Sequence, residues 1–329
     1  VPVVLVVFPL ALLLIPRGEG NKQRPCDFVG SAMVMAGLVG VIYALKELSQ
    51  INSSWTVIFS AAAAGVFFLW LFAHRQARSA QPMIDFSLFR NRAFACGVGV
   101  AITSMIAMVG IELVLTQRLQ LVLGLQPIMA AMFILPIPVA SALASPLAGM
   151  LLPRYGARAM MVGGFALAAL GIVSYALWHQ TGTAMQLISL AVLGFGLGGA
   201  ITAASTSIML NAPEEKAGMV AAIEDVSWEM GGVLGVTLLG GLMTAVYSRS
   251  LSLPAELVTE DGAYDSLDEA LRIAASLSPE HASLITDLAR TAFDQAFMAV
   301  LICAAVLVVA SVVVLKMVLR KSLGARQPS

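Results

Sequence analysis

The 329-residue chain is 59% apolar and only 12% charged, with a mean hydropathy of +0.90, against roughly a quarter charged in an ordinary soluble domain. These values exclude a soluble globular protein and mark an integral membrane protein. Nineteen basic and nineteen acidic residues cancel, so nothing points to nucleic acid or an acidic partner, and the information lies in where the charges fall.

The opening run VPVVLVVFPLALLLI, residues 1–15, is short of the roughly twenty residues a span needs. It has no basic n-region and no small-residue cleavage site, so it reads as the end of a span that begins before the sequence does. Runs of about twenty apolar residues then predict full spans near 29–48, 55–73, 94–116, 127–151, 159–178, 184–209, 217–247 and 295–318. Only helices or closed barrels satisfy the backbone in lipid, and runs this long exclude alternating barrel strands. The expected fold is an all-α membrane bundle of one truncated and eight full transmembrane helices.

Orientation follows from Lys and Arg in the short connections. One set of loops holds Arg17, Lys22 and Arg24, then Arg75, Arg78, Arg90 and Arg92, then Arg154 and Arg158, then Lys216, and last Arg320, Lys321 and Arg326; the other holds Lys46 and Arg118. The first set, with the C-terminal tail, is expected in the cytoplasm. Segment 248–294 is then outside, and it concentrates acids such as Asp265, Asp268, Glu269 and Asp287. Within it DEALRIAASL and SPEHASLITDLARTAF space their apolar residues helically, predicting a small hairpin. A solvated acidic linker is the plainer alternative, and either would draw cations to the mouth.

The span within 216–247, KAGMVAAIEDVSWEMGGVLGVTLLGGLMTAVY, is apolar yet carries Glu224, Asp225 and Glu229. An ionisable group in a bilayer costs at least about 2–3 kcal/mol, so such residues face a cavity or a partner and serve transport or proton relay. At about 100° per residue Asp225 and Glu229 share a face one turn apart, while Glu224 points away. Two carboxylates in a poorly solvated site repel, so the pair holds a shared proton that an incoming cation displaces. Trp228, a turn beyond Glu224, offers a ring face to a quaternary ammonium group. The plainer reading of Glu224 is a position near the membrane interface, about 10 Å from the start of the span.

Glu112 is a second candidate for cation binding or coupling, with a contact to Arg118 as the plain alternative; six residues apart, the two lie about 240° around a straight helix. Asp27 and Asp294 read as helix caps. His74, His179 and His281 fall in loops or span ends, so no metal site is expected, and Cys26, Cys96 and Cys303 read as packing residues. GFGLGGA at 194–200 and GGVLGVTLLGG at 231–241 suit close helix approach, and Pro127, Pro136, Pro138 and Pro146 suit kinks.

Several segments carry a family resemblance. PCDFVG at 25–30, LFRNRAF at 88–94, TQRLQLVLGLQPIMAAMFILP at 116–136 and GMLLPRYGAR at 149–158 resemble the major facilitator superfamily. Within it they resemble the fourteen-span drug:proton antiporters of the EmrB/QacA type, most closely the SmvA-like and QacA-like exporters of quaternary ammonium compounds and methyl viologen. GMLLPRYGAR looks like a degenerate copy of the cytoplasmic G-x-x-x-D-R-x-G-R-R signature, with Arg154, Gly156 and Arg158 kept, Pro153 where an acid is expected and Ala157 in place of a basic residue. Asp27 is part of the family pattern.

The resemblance implies the second half of such a transporter. Residues 1–15 would end the sixth span, 16–92 hold a cytoplasmic link and two linker helices, 93–247 the C-terminal bundle helices, 248–294 the outer loop, and 295–329 the last span and tail. The N-terminal bundle is then the missing partner, cationic drugs the substrates, the bacterial inner membrane the location, and the proton gradient the energy source in place of any cofactor. The acids of 217–247 would recognise substrate and couple protons. An exporter of another small molecule and a non-transporting remnant are the alternatives. A membrane enzyme is disfavoured, since no nucleophile, His or H-E-x-x-H spacing accompanies the acids.

Overall fold

The computed structural model describes residues 5, 7–10, 27–48, 54–79, 82–254 and 261–323. Arg17, Lys22, Arg24, Cys26 and Arg326 lie outside the described residues, as does most of the expected first span; residues 5 and 7–10 are helical. Every regular element described is a helix. α1 (Phe28–Leu48) and α2 (Trp55–Arg78) pair with each other, and a Cβ at Gly65 would lie 2.6 Å from the Val41 nitrogen, an approach only glycine permits.

α3 (Arg92–Gln117) continues through a π turn at Arg118–Val122. α4 (Pro127–Ile134) stops where Pro136 removes a backbone donor, and α5 (Pro136–Trp178) restarts there. Then come α6 (Thr183–Leu210), α7 (Ala217–Leu234), a second π turn at Gly235–Leu239, and α8 (Gly240–Ser250). The short α9 (Leu267–Ala274) and the 45-residue α10 (Pro279–Leu323) follow.

Seven helical rods among the described residues are long and apolar enough to cross a membrane, the longest running 52 residues from Pro127 to Trp178. At 1.5 Å per residue that is about 78 Å, more than twice the hydrocarbon thickness, so this rod holds two of the expected spans. It breaks at Gly156, with φ 77° and ψ 157°. Packing on α6 shows that the chain reverses there. Gly194 and Gly198 meet Ile137 and Ser141, so the first leg of α5 runs parallel to α6; Gly164, Ala168 and Gly171 meet Ala200, Gly196 and Leu193, so the second leg runs antiparallel. The eight expected full spans are therefore present, in an all-α membrane bundle.

α9 begins with Ser266, whose hydroxyl accepts from the Glu269 amide, and Glu269 pairs with Arg272 on the same helix. Its apolar side, Leu267, Ala270 and Ala274, is buried together with Ile285 and Ala289 of α10. The Tyr247 hydroxyl donates to the Ala263 carbonyl at 3.0 Å, tying α8 to this segment. α10 contains no Gly or Pro after Pro279, so the expected second hairpin helix and the last span are one unbroken helix of about 67 Å.

Candidate functional site

The acidic helix α7 is positioned by small residues. Gly231 lies against Ile102 and Met105 and Gly235 against Ile106, with hypothetical Cβ atoms 2.6 and 2.8 Å from the Ile102 and Ile106 carbonyl oxygens; Gly110 of α3 lies against Leu239. Each step of four on α3 matches a step of four on the other chain segment, so the two helices run parallel at close range. The sequence dictates this locally, because a side chain at any of these glycines would push the backbones apart.

That contact fixes where the acids point. Asp225 and Glu229 lie a turn apart on the exposed face of α7, whereas Glu224 is 7% exposed on the packed side with Ile223 and Ser227. None of the three carboxylates has a hydrogen-bond or ion-pair partner among the described residues. Trp228 is half-buried against the cluster of Leu88, Phe94, Val98 and Ile223, and its indole nitrogen is buried without an acceptor. Much of the ring is therefore engaged in packing, on a different side from the carboxylate pair.

Glu112 is half-buried on α3, and its carboxylate likewise has no partner among the described residues. Since Gly110 sits at the level of Leu239, Glu112 is about 15–18 Å along the axis from Glu229. The structure brings Asp225 and Glu229 together and leaves Glu112 beyond the end of α7, level with the start of α8. Arg118 does not contact Glu112 either: its Nε donates to Asp294 Oδ1 at 3.0 Å. Two expectations are corrected here. Asp294 is no cap, because α10 starts fifteen residues earlier, at Pro279. Arg118 is no loop charge, because α3 winds on through it and leaves it 3% exposed.

Asp27 does cap α1, accepting from the Gly30 amide at 2.9 Å, and is also clasped by Arg75, whose Nε and Nη2 reach its two oxygens at 2.9 and 3.0 Å. Arg75 first, then the Gly30 amide, holds its carboxyl below the usual carboxylate range. A Cβ at Gly30 would sit 2.6 Å from Asp27 Oδ2, which is the physical reason for the D-x-x-G spacing. Arg154 is exposed and lies over the Tyr155 ring at 5.4 Å, Gly156 makes the reversal, and Arg158 donates from Nη2 to the Lys316 carbonyl of α10 at 3.3 Å.

Sequence reasoning missed the Arg75–Asp27 clasp and two further long-range pairs. Lys216 Nζ reaches Asp85 Oδ2 at 2.5 Å, joining the start of α7 to the turn before α3, and Arg118 joins Asp294 across 176 residues. An Arg within helical reach of a span and an Asp inside an apolar run were the available signals. No group of three His, Cys, Asp or Glu able to hold a metal occurs among the described residues.

The family profile described as Major Facilitator Superfamily matches residues 26–236. The chain belongs to the major facilitator superfamily. The relatives agree. It is 38% identical over 296 residues to the methyl viologen resistance protein SmvA of Salmonella typhimurium, covering 89% of this chain and 60% of SmvA. It is 31% identical over 324 residues to the multidrug efflux pump LfrA of Mycolicibacterium smegmatis, covering 98% and 64%, and 30% identical over 263 residues to the multidrug resistance protein Stp of Mycobacterium tuberculosis, covering 78% and 48%. The chain thus spans less than two thirds of the length of each of these relatives. Its superfamily is one of transporters and not of enzymes.

Proposed function

We propose that this chain forms part of a proton-coupled exporter of lipophilic cations, such as quaternary ammonium compounds and methyl viologen, working by alternating access in a bacterial inner membrane. The observation that carries the reading is the pair Asp225 and Glu229, a turn apart on the exposed face of α7 with no protein counter-charge among the described residues. Two unpaired acids do not face hydrocarbon, so that face lines a cavity or meets a second bundle. The N-terminal bundle of the same transporter is the partner assigned to it.

In this mechanism the pair holds a proton when the cavity is empty of drug, and a cation entering beside it replaces that proton. Glu112, level with the start of α8, lies further along the same path and handles either the proton or the cation there. Arg154, Gly156 and Arg158 shape the cytoplasmic reversal of α5 that gates the inner end, and Asp27 with Arg75 anchors the two linker helices. The basic connections and the tail are assigned to the cytoplasm and segment 248–294 to the outside. The proton gradient supplies the energy, with no cofactor. The names SmvA and LfrA support drug efflux, and those of LfrA and Stp keep open a broader range of small molecules on the same site.

The test is proton release on adding a quaternary ammonium or dicationic dye to the detergent-solubilised full-length protein, alone and as Asp225→Asn with Glu229→Gln. Release by the wild type that the double variant loses upholds the reading. Equal release by both moves coupling to Glu112 or the other bundle, and none from the wild type for any cation removes the cationic substrate class.

A further inference from the structure

The two legs of α5 and the helix α6 enclose an apolar slot of about 240 Å³, in which every lining residue is Ala, Gly, Leu, Met or Phe. Ala144 and Ala148 along it are 1% and 2% exposed, while Leu147, Leu151 and Phe195 are 47%, 42% and 39% exposed, so it opens on the surface of the bundle. Missing side chains hollow it out: a Cβ at Gly163 or Gly199 would meet nothing within 4 Å. An apolar cavity of about 150 Å³ already stays dry and takes up benzene, so a slot of this size suits an apolar guest.

One end of the slot is charged. Leu151 stands three residues before Arg154, and Ala159 directly follows Arg158. Tyr155, under the Arg154 guanidinium, is exposed, and Arg with Tyr at the end of a span marks the headgroup level. Arg154 and Arg158 are the only Asp, Glu, Lys or Arg residues from Pro127 to Trp178, and the first acids after Glu112 are Glu214 and Glu215, beyond the end of α6. The second leg starts at the Gly156 break, so the positive end of its dipole adds to the same field. Arg158 engages the Lys316 carbonyl through Nη2 alone, and a guanidinium has five donors. A lipophilic cation is repelled at this end, and an anionic head is drawn to it.

The slot also faces away from the acidic helix. α7 packs on α3, and Gly97 of α3 meets α6 at Ala204 and Ile208; Phe195 and Gly199 lie about 140–180° around α6 from those two residues.

We propose that this slot holds an acyl chain of an anionic phospholipid whose phosphate is received by Arg154 and Arg158 at the α5 reversal. The lipid fills an apolar gap among three helical segments and ties the reversal to the headgroup layer, at a site separate from the carboxylates of α7.

The test is native mass spectrometry of the full-length protein, released from detergent after titration with phosphatidylglycerol or with phosphatidylcholine of the same chains. The expected result is one phosphatidylglycerol retained ahead of any further lipid, with a preference over phosphatidylcholine that falls about fivefold in Arg154→Gln, the loss of one basic residue at the membrane surface. Gly163→Leu, which fills the slot from an open position, loses that lipid whichever headgroup it carries. Equal retention of the two lipids by the wild type overturns the proposal. A preference unmoved by Arg154→Gln, or retention unmoved by Gly163→Leu, overturns it by placing the lipid elsewhere on the bundle, and displacement of the lipid from the wild type by a quaternary ammonium dye overturns it by making the slot a drug site.

Discussion

Gly198 and Gly199 are sequence neighbours on α6 whose replacement by alanine has opposite consequences. A Cβ at Gly198 would lie 2.6 Å from both the carbonyl oxygen and the hydroxyl of Ser141 and 2.7 Å from its Cα, all on the first leg of α5. Ordinary contact needs about 1 Å more, and backbone cannot swing aside as a flexible side chain does, so the helices must separate; overpacking of this kind costs about 1–3 kcal/mol. A Cβ at Gly199 meets nothing within 4 Å. It points into an apolar cavity of about 240 Å³ lined by residues such as Ala144, Leu147, Gly163 and Phe195, so the methyl meets no clash and alanine gains about 0.5–1 kcal/mol over glycine in a helix. Because both variants share the helix gain, the expected gap between them is the overpacking cost, about 1–3 kcal/mol. Thermal unfolding in detergent, followed by size-exclusion chromatography after heating, should move the melting temperature down for Gly198→Ala and up for Gly199→Ala. Equal shifts in one direction would refute the packing of α6 against the two legs of α5.

Gly156→Ala should destabilise by about 1–3 kcal/mol, because φ 77° with ψ 157° is backbone essentially reserved for glycine, while Gly149→Ala in open surroundings should not; unfolding midpoints in detergent compare the two. Asp294→Asn should cost about 2–3 kcal/mol by stranding the Arg118 guanidinium, toward the low end for a broken buried pair since the Asp294 side chain is 31% exposed, and Arg118→Met combined with Asp294→Leu should recover most of that loss in a double-mutant cycle. Asp85 is held down to about 2 by Lys216 first and then by Ser87. Its folded value lies below the unfolded value of about 3.9, so the stabilisation is complete above about pH 4 and is lost as pH falls toward 2. Asp85→Asn should flatten the melting temperature's fall across that window, and an unchanged slope would exclude the Lys216 pair as its source.

The spans were legible because the bilayer sets a length and an apolar run either meets it or does not. The hairpin at Gly156 was legible for the same reason, as two runs separated by Pro153, Arg154 and Arg158. The continuity of α10 was not: the acids Asp287 and Asp294 interrupt the apolar run, and hydropathy cannot tell a helix that leaves the membrane from one that ends. Of the site, the helical angle separated Glu224 from Asp225 and Glu229, but only the glycines against Ile102 and Ile106 decide which side is packed. Arg118 with Asp294 lay beyond local pattern altogether, since the partner is 176 residues away and neither residue's immediate neighbours announce it.

The last helix has neither glycine nor proline from Glu280 to Leu323, and so no built-in joint. Asp294, which holds Arg118, and Lys316, whose carbonyl receives Arg158, are 22 residues apart on it, about 33 Å along a stiff axis. A rod of this kind transmits displacement without absorbing it. Any tilt imposed where Asp294 grips α3 must reappear beside the α5 reversal, so the two ends of the bundle move as the arms of one lever.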